Sequence, residues 1–134
     1  MKSLPITGLP VAAVRGQFAV IVDFADDSSL TIETEFTLRT PGDNCESLDP
    51  EAIDPGRSLG LLVGRNLDIA TWHTVSGDLY ATFAGDVRLH VPPHPRYEAW
   101  TCHGQDGSAV ICLPGGGVAE WAARPWPEAP QRKW

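Results

Sequence analysis

The stretch "QFAVIVDFADDSSLTIETEFTLR", residues 17–39, decides the fold class, because apolar side chains recur in it at every second position. The residues that share one face of its two segments are Phe18, Val20, Val22, Phe24, Leu30, Ile32, Thr34, Phe36 and Leu38. The linker "ADDSS" between the segments carries Asp and Ser, whose side chains favour turns. We therefore predict a β-hairpin whose second strand, residues 29–39, has one buried face and one solvated face, as in an antiparallel sheet.

The same strand and turn pattern returns further along the chain. The later strand-like segments, joined by turns that contain Gly and often Asp, are "NLDIATWHT" (66–74), "DLYATF" (78–83), "DVRLHV" (86–91), "EAWTCH" (98–103), "SAVICL" (108–113) and "VAEW" (118–121). Residues 40–56 are predicted to form a surface loop, and residues 57–63 a short helix capped by Ser58. The predicted fold class is mainly β: a single-domain antiparallel meander of about seven or eight strands, in a curled sheet or a partly open barrel.

Two segments of the chain resemble each other. "AVIVDFADDSSLTIE" (19–33) and "DLYATFAGDVRLHV" (78–91) each contain an alternating strand that ends in Phe-Ala, then an acidic turn, then a second alternating strand. This likeness predicts two similar hairpins within one meander. It fits an internal duplication, and it fits equally well the turn chemistry that unrelated hairpins share.

The chain has 134 residues, which is the usual size of one domain. We predict one β-rich domain over residues 1–122 and a mobile tail over residues 123–134, where three prolines oppose regular structure. The N-terminal segment is too short and too interrupted by proline for a signal peptide or a membrane span. The three cysteines, Cys45, Cys102 and Cys112, do not form the pattern of a secreted disulfide scaffold, so we predict a cytoplasmic protein.

The formal net charge of −7 disfavours nucleic acids and anionic membranes as the main partners. A protein partner of basic character is predicted instead. The acidic residues predicted to bind it lie in the 40–56 loop and on the solvated face of the second strand: Asp43, Glu46, Asp49, Glu51, Asp54, Glu33 and Glu35. Long loops in compact domains often carry function, and this one is expected to attract a basic protein through its electric field.

No catalytic residue, metal site or cofactor is predicted. Zinc sites usually use close ligand pairs such as C-x-x-C, and the sequence has none, while His103 and Cys102 are adjacent and point to opposite faces of a strand. The G-x-S-x-G motif of serine hydrolases and the G-x-x-x-x-G-K phosphate loop are absent as well. Arg88 and His90 share one strand face, which fits either an anion-binding patch or an ordinary solvated face.

Several quoted segments together resemble a family of proteins. The order "ITGLPV" (6–11), "YEAW" (97–100) and "PGGGVAEW" (114–121) is similar to that of small, mostly actinobacterial proteins catalogued as a domain of unknown function. The resemblance covers residues 6–121 and implies the β fold, but no catalytic residues. Turn-rich β proteins of this kind also resemble the immunity proteins of bacterial toxin systems, which are small, often acidic and cytosolic.

From these features we predict a non-enzymatic protein-binding module, and more specifically an immunity protein that neutralises a bacterial toxin. The first alternative is a small ligand-binding domain or enzyme with a pocket lined by His90, His94, Tyr97 and Trp100. The second alternative is a subunit of a larger assembly, or a homodimer joined through an open sheet edge.

Overall fold

The computed structural model describes residues 1–122, so the tail over residues 123–134, which is predicted to be mobile, lies outside the described residues. The described part is mainly β, as predicted. Its twelve strands are β1 (Lys2–Ser3), β2 (Val11–Arg15), β3 (Val20–Phe24), β4 (Ser29–Ile32), β5 (Phe36–Thr40), β6 (Asn44–Leu48), β7 (Leu67–Trp72), β8 (Leu79–Phe83), β9 (Val87–Val91), β10 (Trp100–His103), β11 (Ala109–Cys112) and β12 (Val118–Trp121). One helical turn, α1 (Pro55–Ser58), and one 3-10 turn (Gly60–Leu62) lie between β6 and β7. Within residues 1–122, no helix has the length and apolar character needed to cross a bilayer.

The strands form two six-stranded antiparallel sheets. Sheet A has the order β1-β7-β8-β9-β5-β6, and sheet B has the order β12-β11-β10-β4-β3-β2. Neither sheet closes into a barrel over the described residues. The prediction of one meander with seven or eight strands is therefore wrong both in strand number and in connectivity.

The 17–39 stretch forms the predicted hairpin, but its second segment spans two strands. The hairpin consists of β3 and β4 in sheet B. β4 ends at Ile32, residues 33–35 cross between the sheets, and β5 begins at Phe36 in sheet A. Ile32, Thr34 and Phe36 are all buried along this path. The apolar period continues although the hydrogen-bonded partner changes, because the period reports burial and not sheet membership.

Phe18 does not lie on the buried face to which its spacing assigns it. It belongs to the turn between β2 and β3, where its φ of 64° is in the left-handed region. Its side chain is 65% exposed, whereas Val20, two residues later, is fully buried. A left-handed residue interrupts the alternation of a strand, so the pattern of period two begins only after Phe18.

The predicted 40–56 surface loop contains a strand that periodicity does not reveal. β6 pairs with β5 along its whole length, after a tight turn in which Gly42 and Asp43 both have positive φ. Four of its five side chains are exposed, because β6 is an edge strand, and so it shows no apolar alternation. The helical turn begins at Pro55, a residue favoured in the first turn of a helix, and Ser58 ends it instead of capping it.

The two sheets are related by an internal repeat that extends beyond the two similar hairpins. Strands β2–β6 correspond in order to strands β7–β11, and exchanging these two sets converts the order of sheet B into that of sheet A. β1 and β12 each add one strand outside the repeat. The two hairpins predicted from the sequence are present as β3–β4 and β8–β9, but they lie in different sheets.

Backbone hydrogen bonds at matching positions support the repeat. Val11 N–H at the start of β2 donates to the carbonyl of Arg65 at 2.9 Å, and Leu67 N–H at the start of β7 donates to the carbonyl of Leu9 at 2.8 Å. The β2–β3 register shifts directly after Val11, and the β7–β8 register shifts directly after Leu67. A bulge is a specific backbone feature, so its presence at both positions favours a duplication over shared turn chemistry.

Side chains from both sheets fill one core. Trp72 of sheet A and Trp100 of sheet B lie with their ring centroids 6.4 Å apart. The indole N–H of Trp100 is buried and donates to the carbonyl of Gly77 at 2.8 Å, which satisfies its only polar group. Ile32 and Val91, the last residues of β4 and β9, are buried in the same core.

Candidate functional site

Two of the three segments that carry the chain between the sheets lie side by side, and we call them the first and second crossovers. Residues 33–35 connect β4 to β5, and residues 92–99 connect β9 to β10. β4 pairs with β10, and at the end of this pair Glu33 N–H donates to the carbonyl of Ala99 at 2.9 Å. Residues 49–54 reach the same end, because β6 leaves the sheet beside the first residue of β5. Three separate segments therefore meet at one end of the molecule.

These three segments enclose a cleft in which acidic side chains predominate. Glu33 and Glu35 of the first crossover, with Asp49 and Glu51 of the loop after β6, line a hollow of about 170 Å³. A neighbouring hollow of about 300 Å³ shares Glu33 and Glu51 with it. We call the two hollows together the acidic cleft, and define it by Glu33, Glu35, Asp49, Glu51, His94, Tyr97 and Phe18. The structure thus brings together four of the seven acids predicted from the sequence.

The carboxylates of the acidic cleft have no cationic partner among residues 1–122. The ion pairs in this part of the chain lie elsewhere: they are Lys2–Glu120, Arg15–Asp23 and Arg88–Asp86, and the hydrogen-bonded pair His90–Asp78 also lies outside the cleft. His94 Nδ1 accepts the backbone N–H groups of Arg96 at 3.0 Å and Tyr97 at 3.3 Å, so this ring nitrogen is engaged within its own segment. The cleft is a concentration of uncompensated negative charge.

Two exposed aromatic side chains stand beside the acids. Tyr97 is 62% exposed, and its ring lies 4.9 Å from that of His94. Phe18 lines the neighbouring hollow together with Glu33, Glu51 and Tyr97. Burying such side chains removes apolar area from water, and aromatic residues are enriched among those that dominate binding at protein interfaces. The cleft therefore combines negative charge with apolar contact area. The sequence analysis missed Phe18 as a site residue, because the alternating pattern assigned it to the core.

The other three predicted acids do not reach the cleft. Asp43 lies in the turn between β5 and β6, Glu46 lies on β6, and Asp54 precedes α1. All three are exposed. Glu33 and Glu35, which were predicted on a strand face, lie on the crossover instead.

The four residues of the alternative pocket, His90, His94, Tyr97 and Trp100, do not meet. His94 and Tyr97 are neighbours in the acidic cleft. Trp100 has no exposed area and belongs to the core. His90 lies on the outward face of sheet A, where its ring stacks on that of Tyr80 with 4.7 Å between the centroids. The pocket as predicted is not formed, and its members are distributed over three environments.

His90 belongs to a hydrogen-bonded chain that lacks the order of a catalytic triad. Its Nε2 lies 2.7 Å from Asp78 Oδ1, and the Ser76 hydroxyl donates to Asp78 Oδ2 at 2.6 Å. Burial raises the pKa of Asp78, but the hydrogen bonds from Ser76 and His90 outweigh it and leave that pKa below its ordinary value of 3.8. In a triad the histidine stands between the serine and the carboxylate. Here the carboxylate stands in the middle, so His90 is not placed to take a proton from Ser76.

The three cysteines occupy two kinds of environment. Cys102 and Cys112 are buried on neighbouring strands and are unpaired, whereas Cys45 is exposed on β6. Burial, with a smaller effect of Asp26, raises the pKa of Cys102 to about 12, which keeps this thiol protonated and unreactive. Among residues 1–122, no three His, Cys, Asp or Glu side chains are grouped so that they could hold a metal ion.

Comparison with protein families gives a match over most of the chain. A family model described as "Family of unknown function (DUF6188)" matches residues 2–122, which include both halves of the repeat and every segment of the acidic cleft. Neither the curated proteins nor the solved structures yielded a match. The predicted resemblance to a family of unknown function is confirmed, while its actinobacterial character stays a prediction.

Proposed function

The chain belongs to the DUF6188 family, whose function is unknown, and from its site we propose that it is a non-enzymatic module that binds a basic protein. The recognition surface in this proposal is the acidic cleft. The observation that carries it is the convergence of four carboxylates from two segments without a cationic partner among the described residues. Four acidic side chains that line one hollow give it a negative potential, which attracts a cationic partner.

A second feature of the same hollow favours a partner that donates hydrogen bonds. Thr34 is buried between Glu33 and Glu35, and its hydroxyl has no hydrogen-bond partner among the described residues. An unpaired buried hydroxyl costs about 1–3 kcal/mol. A lysine or arginine side chain entering the hollow would meet these carboxylates next to Thr34.

The exposed aromatic side chains supply the apolar part of the proposed interface. Phe18 and Tyr97 both lie next to Glu33 and Glu51. A partner that covers the two rings excludes water from the neighbouring carboxylates, which strengthens each charge-assisted hydrogen bond formed there. We expect the rings to slow dissociation and the acids to speed association.

The narrower form of the proposal is that the partner is a bacterial toxin and that this chain is its immunity protein. The small size of the chain, its net charge of −7 and the exposed position of the cleft support this form. We also propose the cytoplasm as its compartment, because Cys102 and Cys112 are unpaired thiols on neighbouring strands.

The test compares two triple variants that remove the same number of charges. The cleft variant carries Glu33→Gln, Asp49→Asn and Glu51→Gln, and the control variant carries Asp43→Asn, Glu46→Gln and Asp54→Asn. Wild-type and variant chains are used to capture partners from the lysate of the host, and bound proteins are quantified by mass spectrometry at low and high salt. All six acids are exposed, so both variants are expected to fold.

We expect one basic protein to bind the wild type and the control variant and to be lost at least about tenfold from the cleft variant. High salt should weaken the same complex. Equal recovery of that protein by the cleft variant, or a partner that is acidic and insensitive to salt, would contradict the proposal.

Self-association is the second candidate, because β6 leaves an unpaired edge in sheet A. Exposed edges can pair with another strand, which would give a homodimer or a place in a larger assembly. Sedimentation of the isolated chain at several concentrations distinguishes the two candidates. If the chain is a monomer at all concentrations, self-association is contradicted and binding of a different protein remains. If the wild type is a dimer and the Ser47→Pro variant is a monomer, the interface lies at β6.

A further inference from the structure

A hollow of opposite charge lies on the outward face of sheet A. It has a volume of about 460 Å³ and extends across β8, β9, β5 and β6. We call the following set of its side chains the basic groove: Thr37, Arg39, Cys45, Tyr80, Arg88 and His90. Among the residues that the structure describes, no carboxylate lines this groove. The groove is separate from the acidic cleft, so a ligand bound in it would be additional to the proposed protein partner.

The two arginines of the basic groove are directly opposite each other. Arg39 of β5 is the register partner of Arg88 of β9. Like charges in such positions repel, and the arrangement costs free energy unless an anion lies between them. Arg88 has an exposed partner in Asp86 at 3.0 Å, whereas Arg39 takes part in none of the ion pairs of residues 1–122. The groove therefore retains a net positive charge.

His90 and Thr37 lie beside the two arginines in this groove. Asp78 holds His90 Nε2 at 2.7 Å, and Nδ1 has no hydrogen-bond partner among the described residues. The ring of Tyr80 lies almost parallel to that of His90, with 1° between the planes, and restricts its rotation. Thr37 is opposite His90 in the register of β5 and β9 and adds a hydroxyl.

We propose that the basic groove binds the phosphate group of a small ligand, with Arg39 and Arg88 as its main contacts and His90 beside them. Each guanidinium presents paired N–H donors whose spacing matches two phosphate oxygens. A long polyanion fits less well, because Asp86 is paired with Arg88 and the whole chain carries a net charge of −7. The observations favour a compact ligand that is covered by the groove itself.

Cys45 provides a reporter inside the groove. It is exposed, it lines the groove and it is the register partner of Arg39, while the other two thiols of the chain are buried. Inorganic pyrophosphate is the probe. We expect it to slow the alkylation of Cys45 by iodoacetamide severalfold, with a binding heat measured in parallel by calorimetry.

The control variants make the assignment specific. Arg39→Gln and Arg88→Gln should each weaken pyrophosphate binding about tenfold or more, as expected for the loss of a charge-assisted contact. Arg57→Gln removes the same charge from an exposed position on α1 and should leave binding unchanged. Succinate, a dicarboxylate, should bind much more weakly than pyrophosphate.

Three results would overturn the proposal. These are an unchanged rate of Cys45 alkylation with saturating pyrophosphate, an equal loss of binding in Arg57→Gln and Arg39→Gln, or equal binding of succinate and pyrophosphate. None of these results bears on the acidic cleft, because the two sites share no residue.

Discussion

The outward faces of the two sheets occupy equivalent places in the internal repeat, yet only one of them has two opposed arginines. In sheet A, Arg39 of β5 faces Arg88 of β9. The matching strands of sheet B, β10 and β4, place His103 opposite Ser29. The same backbone thus forms without two fixed charges at this position, and the arginine pair is not required for folding. Features found in both halves are explained by folding, and features found in one half are candidates for function.

The crossing segments differ in a similar way. The first crossover, residues 33–35, is short and acidic, whereas the second, residues 92–99, is longer and contains His94 and Tyr97. Because β4 pairs with β10, these unlike segments lie next to each other. The repeat therefore places two divergent connections in one location, and the acidic cleft forms from their differences.

The first way to test the equivalence of the halves is to remove a matching core residue from each. Phe24 ends β3 and Phe83 ends β8, and both are buried. We expect Phe24→Ala and Phe83→Ala each to lower the free energy of unfolding by about 3–5 kcal/mol, measured by urea denaturation. Phe18→Ala, at an exposed position, should have little effect. A large difference between the two core variants would contradict equivalent packing of the halves.

The second test concerns a close contact between a turn of sheet A and a turn of sheet B. Gly77, in the turn before β8, has a φ of 84°, and a Cβ there would overlap the carbonyl oxygen of Gly116 in the turn before β12. We expect Gly77→Ala to lower the free energy of unfolding by about 2–3 kcal/mol. Gly115→Ala is the control, because its φ of 87° is similar but no atom lies within 4 Å of the added Cβ. Gly115→Ala should lower the free energy of unfolding by only about 1–2 kcal/mol. Equal losses in the two variants would show that the contact with Gly116 does not cause the effect of Gly77→Ala.

The third test uses pH to isolate a hydrogen-bonded carboxylate, Asp78, that is present in one half. Asp78 precedes β8, and the matching position before β3 is Ala19. Because the pKa of Asp78 is lowered on folding, its carboxylate stabilises the folded state above its ordinary pKa of 3.8, and this contribution is lost as the pH falls further. We expect Asp78→Asn to lower the free energy of unfolding by about 1 kcal/mol at neutral pH, and by less as the pH falls below 3.8.

Urea denaturation of wild type and Asp78→Asn across this pH range measures that difference directly. Asp86→Asn serves as the control, since its ion pair with Arg88 is exposed and should contribute nothing measurable. A difference between wild type and Asp78→Asn that stays constant with pH would show that the hydrogen bonds of Asp78 do not depend on its charge.

The smallest effect is expected where sheet A is made to resemble sheet B. Arg39→Thr removes the opposed positive charges and should raise the free energy of unfolding by about 0.5 kcal/mol at low salt. The gain should disappear at high salt, where the repulsion is screened. A loss of stability in this variant would show that Arg39 has a structural role and would weaken the functional interpretation of the groove.

The sequence predicted those parts of the fold that local chemistry decides. The hairpins β3–β4 and β8–β9 follow from alternation and turn residues within one short segment each. The change of sheet between Ile32 and Phe36 leaves the alternation intact, because all the inward side chains of this segment reach the same core. β6 has almost no buried side chains, so no pattern of period two could reveal it.

The sequence predicted many of the residues of the two candidate sites, but not that these residues lie close together. Charge alone pointed to Glu33, Glu35, Asp49 and Glu51, but their convergence depends on the pairing of β4 with β10 and of β5 with β6. For the basic groove, the sequence identified Arg88 and His90 as neighbours on one face. Arg39 joins them through the pairing of β5 with β9, which are distant in the sequence. Tyr80 joins them through the register of β8 and β9 across a turn.

The central claim is that the acidic cleft binds a basic partner. It is tested most directly by an NMR titration, in which a short peptide rich in lysine and arginine is added to the isotopically labelled chain and the amide signals of the chain are followed. We predict that the signals that move lie at the cleft, around Glu33, Glu51 and Tyr97, and that the cleft triple variant abolishes these shifts while the control triple variant retains them. Shifts that are spread evenly over all exposed acids, or that persist in the cleft variant, would contradict the account.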